Sequence, residues 1–321
     1  MENIQCIFCN RSSDKVVIEE NGYKGRKCPN CGLIFISPRP TFAEISNLYA
    51  NDHAHVSSEA HISGAFNRRL YAKHNLKIIK KFIKNGSMLE IGAGAGYFLD
   101  EARKEGFEVY GIEFNKIQAD FIRTKLMIPC EDSSLDISTF NGKKFDIIYH
   151  CDVISHFYNP ISEFQKINNK LKKNGIVVFE TGNLVDIKKE YYRFITKFQY
   201  PDHLFFFSEN NLKELLKRTR FKVIKIYRYT ILPQLVISKI LKKGIDFIKS
   251  KGKSKNIKKH NVTEVSSPHI YNHNIYEFCF KHLIEYVYNC FFYIIRYKIG
   301  YIMPKKGRPQ TVIFIAKKKR Y

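Results

Sequence analysis

Residues 87–99, SMLEIGAGAGYFL, run from apolar residues into three glycines separated by single alanines, then back into apolar residues. Met88, Leu89 and Ile91 read as a buried strand, and Tyr97, Phe98 and Leu99 as the start of a helix. A strand that turns this tightly into a helix opens a βαβ unit, which predicts an α/β domain built on a parallel sheet. Glycine lets the turn take positive φ and lets a ligand approach the backbone without meeting a Cβ. The helix start also aims unpaired N–H groups at whatever lies above the carboxyl end of the strand. The turn therefore predicts a nucleotide-type site.

The next apolar strand, EVYGIE, ends at Glu113, 21 residues after Gly92, where a carboxylate in a doubly wound sheet meets ribose hydroxyls. That layout serves dinucleotides and S-adenosylmethionine alike, and the spacing of the turn separates them. A dinucleotide fingerprint, G-x-G-x-x-G/A, needs a small third residue, and counting from Gly92 that place holds Tyr97. The pattern from Glu90 to Gly96, E-x-G-x-G-x-G, resembles motif I of the class I S-adenosylmethionine-dependent methyltransferases. FDIIYHCDVISHFYNP (145–160) and LKKNGIVVFETGN (171–183) resemble the fourth- and fifth-strand blocks of the same superfamily. PDHLFFFSENNLKELLKRTRFKVIKIYRY (201–229) is similar to its last helix and sixth strand, and TVIFIAKK (311–318) to its seventh.

The resemblance implies a Rossmann-like seven-stranded sheet with strand 7 antiparallel, and S-adenosylmethionine as cofactor. It implies that Glu90, Gly92, Gly94 and Gly96 hold the methionine part and Glu113 the ribose. Asp132, after the short third strand, matches the polar residue near the adenine, and Asp152 follows strand four at the mouth of the pocket. A base is needed only if the acceptor is a hydroxyl or a carbon acid. His156 and His203 are the candidates, because imidazole titrates near neutral pH and both lie in expected loops at strand carboxyl ends. Of the two, His203 in YPDHLFFFS is expected to serve as base and His156 to shape its loop. His53, His55 and His61 are expected at the surface of a linker.

Eight cysteines fall into two groups. Cys6, Cys9, Cys28 and Cys31 make C-x2-C-x18-C-x2-C, in which each CxxC turn points two thiolates at one ion and four close a tetrahedral structural zinc site. Two disulfides are the other pairing, disfavoured in a reducing compartment. Cys130, Cys151, Cys279 and Cys290 are scattered and read as inert thiols. The segment that follows, CGLIFISPRPTFAEISNLYANDH, resembles bacterial small-molecule and sugar methyltransferases that carry an amino-terminal zinc module. The expected parts are thus a zinc ribbon at 1–40, and a helical linker or lid at 41–85 with Phe42, Ile45, Leu48 and Tyr49 packing at helical spacing. The catalytic domain follows at 86–229 plus 310–321, with a helical insertion between strands 6 and 7 at 230–309.

MENIQCIFCN carries no basic-then-apolar leader and no apolar run reaches the roughly 18 residues that span a bilayer, so the cytoplasm is the expected compartment. The formal net charge is +24. Residues 222–321 hold 22 Lys and Arg against 4 Asp and Glu, a balance of +18 that leaves +6 for the rest. Within the insertion, Ile237, Ile240, Leu241, Ile245 and Ile248 share one helical face, with Lys239, Lys242, Lys243 and Lys249 largely elsewhere. A basic amphipathic helix of this kind suits peripheral contact with an anionic membrane. After Ser266, Ser267 and Pro268 an aromatic-rich segment reads as a helical cap, an interfacial helix, or both. The expected acceptor is a small molecule, a sugar or a lipid-linked glycan precursor. RNA is the alternative partner, since some RNA methyltransferases join a zinc module to this fold, and a non-catalytic cofactor-binding scaffold is the third reading.

Overall fold

A computed structural model describes residues 1–50, 57–135, 140, 142–195, 197–253 and 275–319. His53, His55, Ser266, Ser267 and Pro268 lie outside them. The chain opens with three short strands, β1 (Val16–Glu20), β2 (Tyr23–Lys27) and β3 (Ile34–Ile36), followed by helices α1 (Phe42–Ala50), α2 (Ser58–Ser63) and α3 (Ala65–Ile79). The alternating part comprises β4 (Gly86–Ile91), α4 (Tyr97–Lys104), β5 (Phe107–Ile112), α5 (Lys116–Lys125), β6 (Cys130–Glu131), β7 (Phe145–Cys151), α6 (Pro160–Lys170) and β8 (Leu171–Gly182). After β9 (Phe205–Phe206) come α7 (Glu209–Arg218), β10 (Phe221–Thr230), α8 (Leu232–Lys253), α9 (Ile275–Ile294) and β11 (Gln310–Lys318).

Seven strands form one sheet in the order β10-β11-β8-β7-β4-β5-β6. β4 pairs in parallel with both β5 and β7, whereas β11 runs antiparallel to β8 and β10. This is the seven-stranded arrangement with an antiparallel last strand that the sequence predicts. The central strands are near-continuous apolar runs because helices cover both faces; Phe145, Ile147 and Ile148 of β7 are fully buried. The strand order reverses between β4 and β7, and the glycine-rich turn after β4 sits at that crevice.

A second sheet, β1-β2-β3-β9, is antiparallel throughout. Its last strand comes from the far side of the chain, so the amino-terminal ribbon is closed by the segment that carries His203. Two carboxylate oxygens of Glu20 accept the N–H groups of Phe198 (3.0 Å) and Tyr200 (2.8 Å), and Asn211 Nδ2 donates to Cys31 O (3.0 Å). The ribbon thus holds residues 198–211 by these side-chain-to-backbone bonds and by the pairing of β3 with β9.

The insertion folds back on the sheet. α9 packs along α3, and a π-helical turn at Ile295–Ile299 follows it. Phe292, Ile295 and Tyr297 are buried, and Gly300 lies so close to Thr230 that a Cβ would sit 2.4 Å from its carbonyl oxygen. Arg296 Nη2 donates to the buried Glu180 at the end of β8 (2.7 Å) and to Thr311 Oγ1 (2.8 Å). The inner side of this half of the insertion is therefore a cap on the catalytic domain. On α8, Lys239, Ile240, Leu241 and Lys243 are exposed; the side chains of Lys242, Ile245, Ile248 and Lys249 fall outside the described ones.

Candidate active site

β4 ends at Glu90 and Ile91, and the turn that follows has φ of 68°, 56° and 71° at Gly92, Gly94 and Gly96. At Gly94 a Cβ would stand 3.0 Å from His61 Nδ1 and 3.5 Å from Gln118 Oε1, so the turn needs glycine for both conformation and space. Glu113, one residue past β5, accepts the N–H of Gly94 on one carboxylate oxygen (2.7 Å) and that of Asn115 on the other (2.9 Å). The Phe114 N–H adds to these, and the carboxylate's remaining acceptor capacity is open to a hydroxyl. Burial raises the pKa of Glu113, opposed by these N–H groups. Asn115 caps α5 through Gln118 N (3.1 Å), accepts from Ser58 Oγ (2.9 Å) and donates to Tyr49 O (3.2 Å), tying α1, α2 and α5 around this end.

These groups line a cavity of about 860 Å³. The volume lies within the range of ligand pockets, roughly 300–1,000 Å³. Glu90 is buried, its Oε2 has no hydrogen-bond partner, and burial first and Glu113 second push its pKa well up. Gln118 Oε1 is likewise unpaired. Beside Glu90, the guanidinium of Arg68 on α3 lines the cavity without a side-chain hydrogen bond among the described residues, and burial lowers its pKa. Unpaired buried acceptors and an unpaired cation at one end, a carboxylate over a glycine turn in the middle and the aromatic Phe114 beyond it fit an amino acid joined to a nucleoside. S-adenosylmethionine has that shape and charge.

Not every residue expected here arrives. Asp132 pairs with Arg123 Nη1 (3.1 Å) on α5 and does not line the cavity; Ser133, Ser134 and Leu135 do. β6 is only two residues long, so the chain turns outward at Asp132, and Arg123 near the end of α5 captures it. Conversely, His61, expected at the surface, lies over the turn at Gly94. Asp152 does line the cavity, in left-handed backbone with φ 54°. Its enclosed position and the nearby Glu180 raise its pKa to about 6, although its carboxylate is open to the cavity.

At the far wall, four side chains from three distant segments meet. Nδ1 of His156 lies 3.0 Å from Asp202 Oδ1 and 2.9 Å from the Tyr49 hydroxyl, which itself donates to Asp202. The His203 ring stands edge-on to His156 with centroids 4.6 Å apart. Burial works against a charge on His156, but the hydrogen bond and charge of Asp202 outweigh it and its pKa is raised. An imidazole oriented by a carboxylate is the relation that general bases use. The sequence reading put Tyr49 in a packing stripe and left Asp202 without a role; adjacency to His203 was the one signal for Asp202. Arg68 carried none.

In the ribbon, the four Sγ atoms of Cys6, Cys9, Cys28 and Cys31 lie within 4.8 Å of one another, and Cys6 and Cys31 are 3.4 Å apart. Both CxxC turns close in the same way, Asn10 N to Cys6 O (2.8 Å) and Gly32 N to Cys28 O (3.1 Å), with positive φ at Asn10 and Gly32. Tetrahedral zinc with Zn–S of about 2.3 Å spaces its sulfurs about 3.8 Å apart, so the set fits that ion.

Sheet order and glycine turn together define a Rossmann-like cofactor-binding domain of the methyltransferase class. Residues 64–226, half of the chain, match the methyltransferase-domain family, and the chain belongs to it. It is similar to the ubiquinone biosynthesis O-methyltransferase of Pelagibacter ubique, 33% identical over 127 residues that cover 35% of this chain and 51% of the relative. It is also similar to the dTDP-4-amino-2,3,4,6-tetradeoxy-D-glucose N,N-dimethyltransferase of Saccharopolyspora spinosa, 23% identical over 147 residues, 44% of this chain and 58% of that one. The chain spans about half the length of these curated relatives. Among solved structures, the phosphoethanolamine N-methyltransferase 2 of Haemonchus contortus shares the fold with a TM-score of 0.50 at 17% identity, over 89% of this chain and 62% of that one.

Proposed function

We propose that the chain transfers a methyl group from S-adenosylmethionine to a small-molecule, sugar or lipid-linked acceptor. The observation that carries this is Glu113 held over the glycine turn while Glu90 and Arg68 stand unpaired at its methionine end. When bound, S-adenosylmethionine supplies an electrophilic methyl group on a sulfonium. Glu113 would take the ribose hydroxyls, Glu90 the ammonium and Arg68 the carboxylate, with Phe114 and Leu135 beside the adenine. The acceptor side is walled by Ile187, Phe194, Ile195, Phe198 and Phe206, and Ile231 and Leu235 at the start of α8 reach it. Such a wall binds an acceptor with an apolar face, and Lys197 in the same lining can meet an anionic group on it. The relatives' names, one in ubiquinone biosynthesis and one on a dTDP-sugar, agree with a small-molecule acceptor.

His156 would remove the acceptor proton, with Asp202 and Tyr49 holding its ring and Asp202 stabilising the imidazolium. His203, the base expected from sequence, packs against His156 and would shape the acceptor's place. Positioning supplies the rest of the rate. Calorimetry is the test: S-adenosylmethionine and its demethylated product bind, and nicotinamide dinucleotides do not. Binding of NAD with no response to S-adenosylmethionine sinks the reading; cofactor binding without turnover on any acceptor class makes the chain a scaffold.

Zinc in the ribbon is the second element of the proposal. Metal analysis should find one zinc per chain, because a structural site is filled in folded protein. Cys28→Ser should lose it and also loosen residues 198–211, which the ribbon holds; hydrogen exchange would read both regions. Well-folded protein with less than about half an equivalent of zinc would remove the metal from the proposal.

A further inference from the structure

The outer face of α9 has no work in the site described. Leu283, Tyr286, Val287, Tyr288, Phe291 and Ile294 are each 47–57% exposed. At helical spacing Leu283, Tyr286, Val287, Phe291 and Ile294 share one side of the helix, and Tyr288 stands at its border with its ring 4.6 Å from that of the buried Phe292. Phe66 of α3 extends the patch, its ring 4.9 Å from that of Tyr286. Proteins that remain single in water seldom leave so broad an apolar surface uncovered, so a partner takes it.

We infer that this face seats α9 in the headgroup boundary of an anionic lipid surface. Charge selects the occupant. Lys298 is exposed one turn beyond Ile294, and Lys306 is exposed just after the helical segment. In sequence, residues 222–321, which include α9, carry a balance of +18. Exposed lysines just beyond an aromatic face, in a strongly basic region of the chain, match a helix lying in the plane of an acidic bilayer. A second copy of the chain would bring like charge onto like charge, and RNA would meet an apolar helix face. No helix among the described residues is long and apolar enough to cross a membrane, so the contact is peripheral. The sequence offered both α8 and the aromatic segment that forms α9 for this role; on α8 the exposed apolar side chains are Ile240 and Leu241, on α9 the six named above.

The test uses the full chain with vesicles of phosphatidylcholine, alone or mixed with phosphatidylglycerol. Wild type should sediment with the mixed vesicles and only weakly with the neutral ones, and hydrogen exchange should slow across residues 283–294. The double variant Val287→Ser and Phe291→Ser should lower the partition coefficient about tenfold or more, since both side chains would leave the boundary, while its thermal melting stays unchanged. If that variant fails to fold, wild-type exchange decides: protection of α9 by vesicles supports the inference and its absence overturns it. Equal sedimentation of variant and wild type, equal binding to both vesicle types, or no sedimentation also overturns it. So does a dimer by light scattering that the double variant abolishes, because a second copy would then be the occupant, and so does tight binding of ribosomal RNA at physiological salt without vesicle binding. None of these readouts depends on cofactor affinity.

Discussion

Gly94→Val abolishes binding of S-adenosylmethionine. The position has φ 56°, where a β-branched residue is strained by about 1–3 kcal/mol, and the new Cβ would stand 3.0 Å from His61 Nδ1. The side chain also enters the space above the turn, and relief of either strain moves the Gly94 N–H away from Glu113 Oε2. Calorimetry should show affinity reduced at least about 100-fold, which corresponds to about 2.8 kcal/mol. Gly22→Ala is the control. Gly22 has φ 79° with nothing within 4 Å of an added Cβ, so it carries comparable backbone strain in the ribbon, away from the site. It should leave affinity unchanged. If Gly94→Val binds within about threefold of wild type, the turn is not the cofactor cradle.

His156→Gln lowers turnover on a hydroxyl or carbon-acid acceptor by about 10²–10⁴-fold, the range general bases contribute, and leaves cofactor affinity nearly unchanged. Asp202→Asn acts through His156 and has its own signature. The carboxylate raises the His156 pKa, so its removal must lower it. A base works in its neutral form, and the acid limb of the pH–rate profile therefore moves to lower pH in Asp202→Asn, as the neutral imidazole persists further into acid. Proton NMR of the His156 ring reads the same shift without any acceptor. A His156→Gln enzyme of wild-type rate assigns the ring to structure. An acid limb that stays in place in Asp202→Asn removes the carboxylate from the mechanism. Tyr49→Phe keeps the ring in place and removes only the hydroxyl that donates to Asp202, so it separates loss of that hydrogen bond from collapse of the wall.

What was legible in the sequence was what neighbouring residues decide among themselves. The strand-to-helix turn at Gly92–Gly96 follows from glycine conformational freedom and the apolar runs on each side. The carboxylates of Glu90 and Glu113 follow from where those strands stop. The four-cysteine cluster follows from two turns of identical spacing, and the order of strands from the alternation of apolar periods. Each is a local property, carried by hydrogen bonds and side chains a few residues apart.

The far wall was decided elsewhere. Tyr49, His156 and Asp202 are 107 and 153 positions apart along the chain from Tyr49, and they meet only because β9 joins the ribbon sheet and draws residues 198–206 against the loop after β7. Leu204 N donates to Ser155 O (2.8 Å), which sets that meeting. The same holds for Arg296 and Glu180, 116 positions apart, and for Arg68, whose helix reaches the turn by packing. Asp132 errs in the other direction: one outward turn after a two-residue strand gave its carboxylate to Arg123. No periodicity in the chain encodes which distant carboxylate will face which imidazole, because that depends on how whole elements pack once their apolar faces have been buried. The sequence by itself determined the elements, the turn and the cysteine cluster of the ribbon. Tertiary packing alone decided which side chains share the far wall of the cavity and which face of the insertion stays exposed.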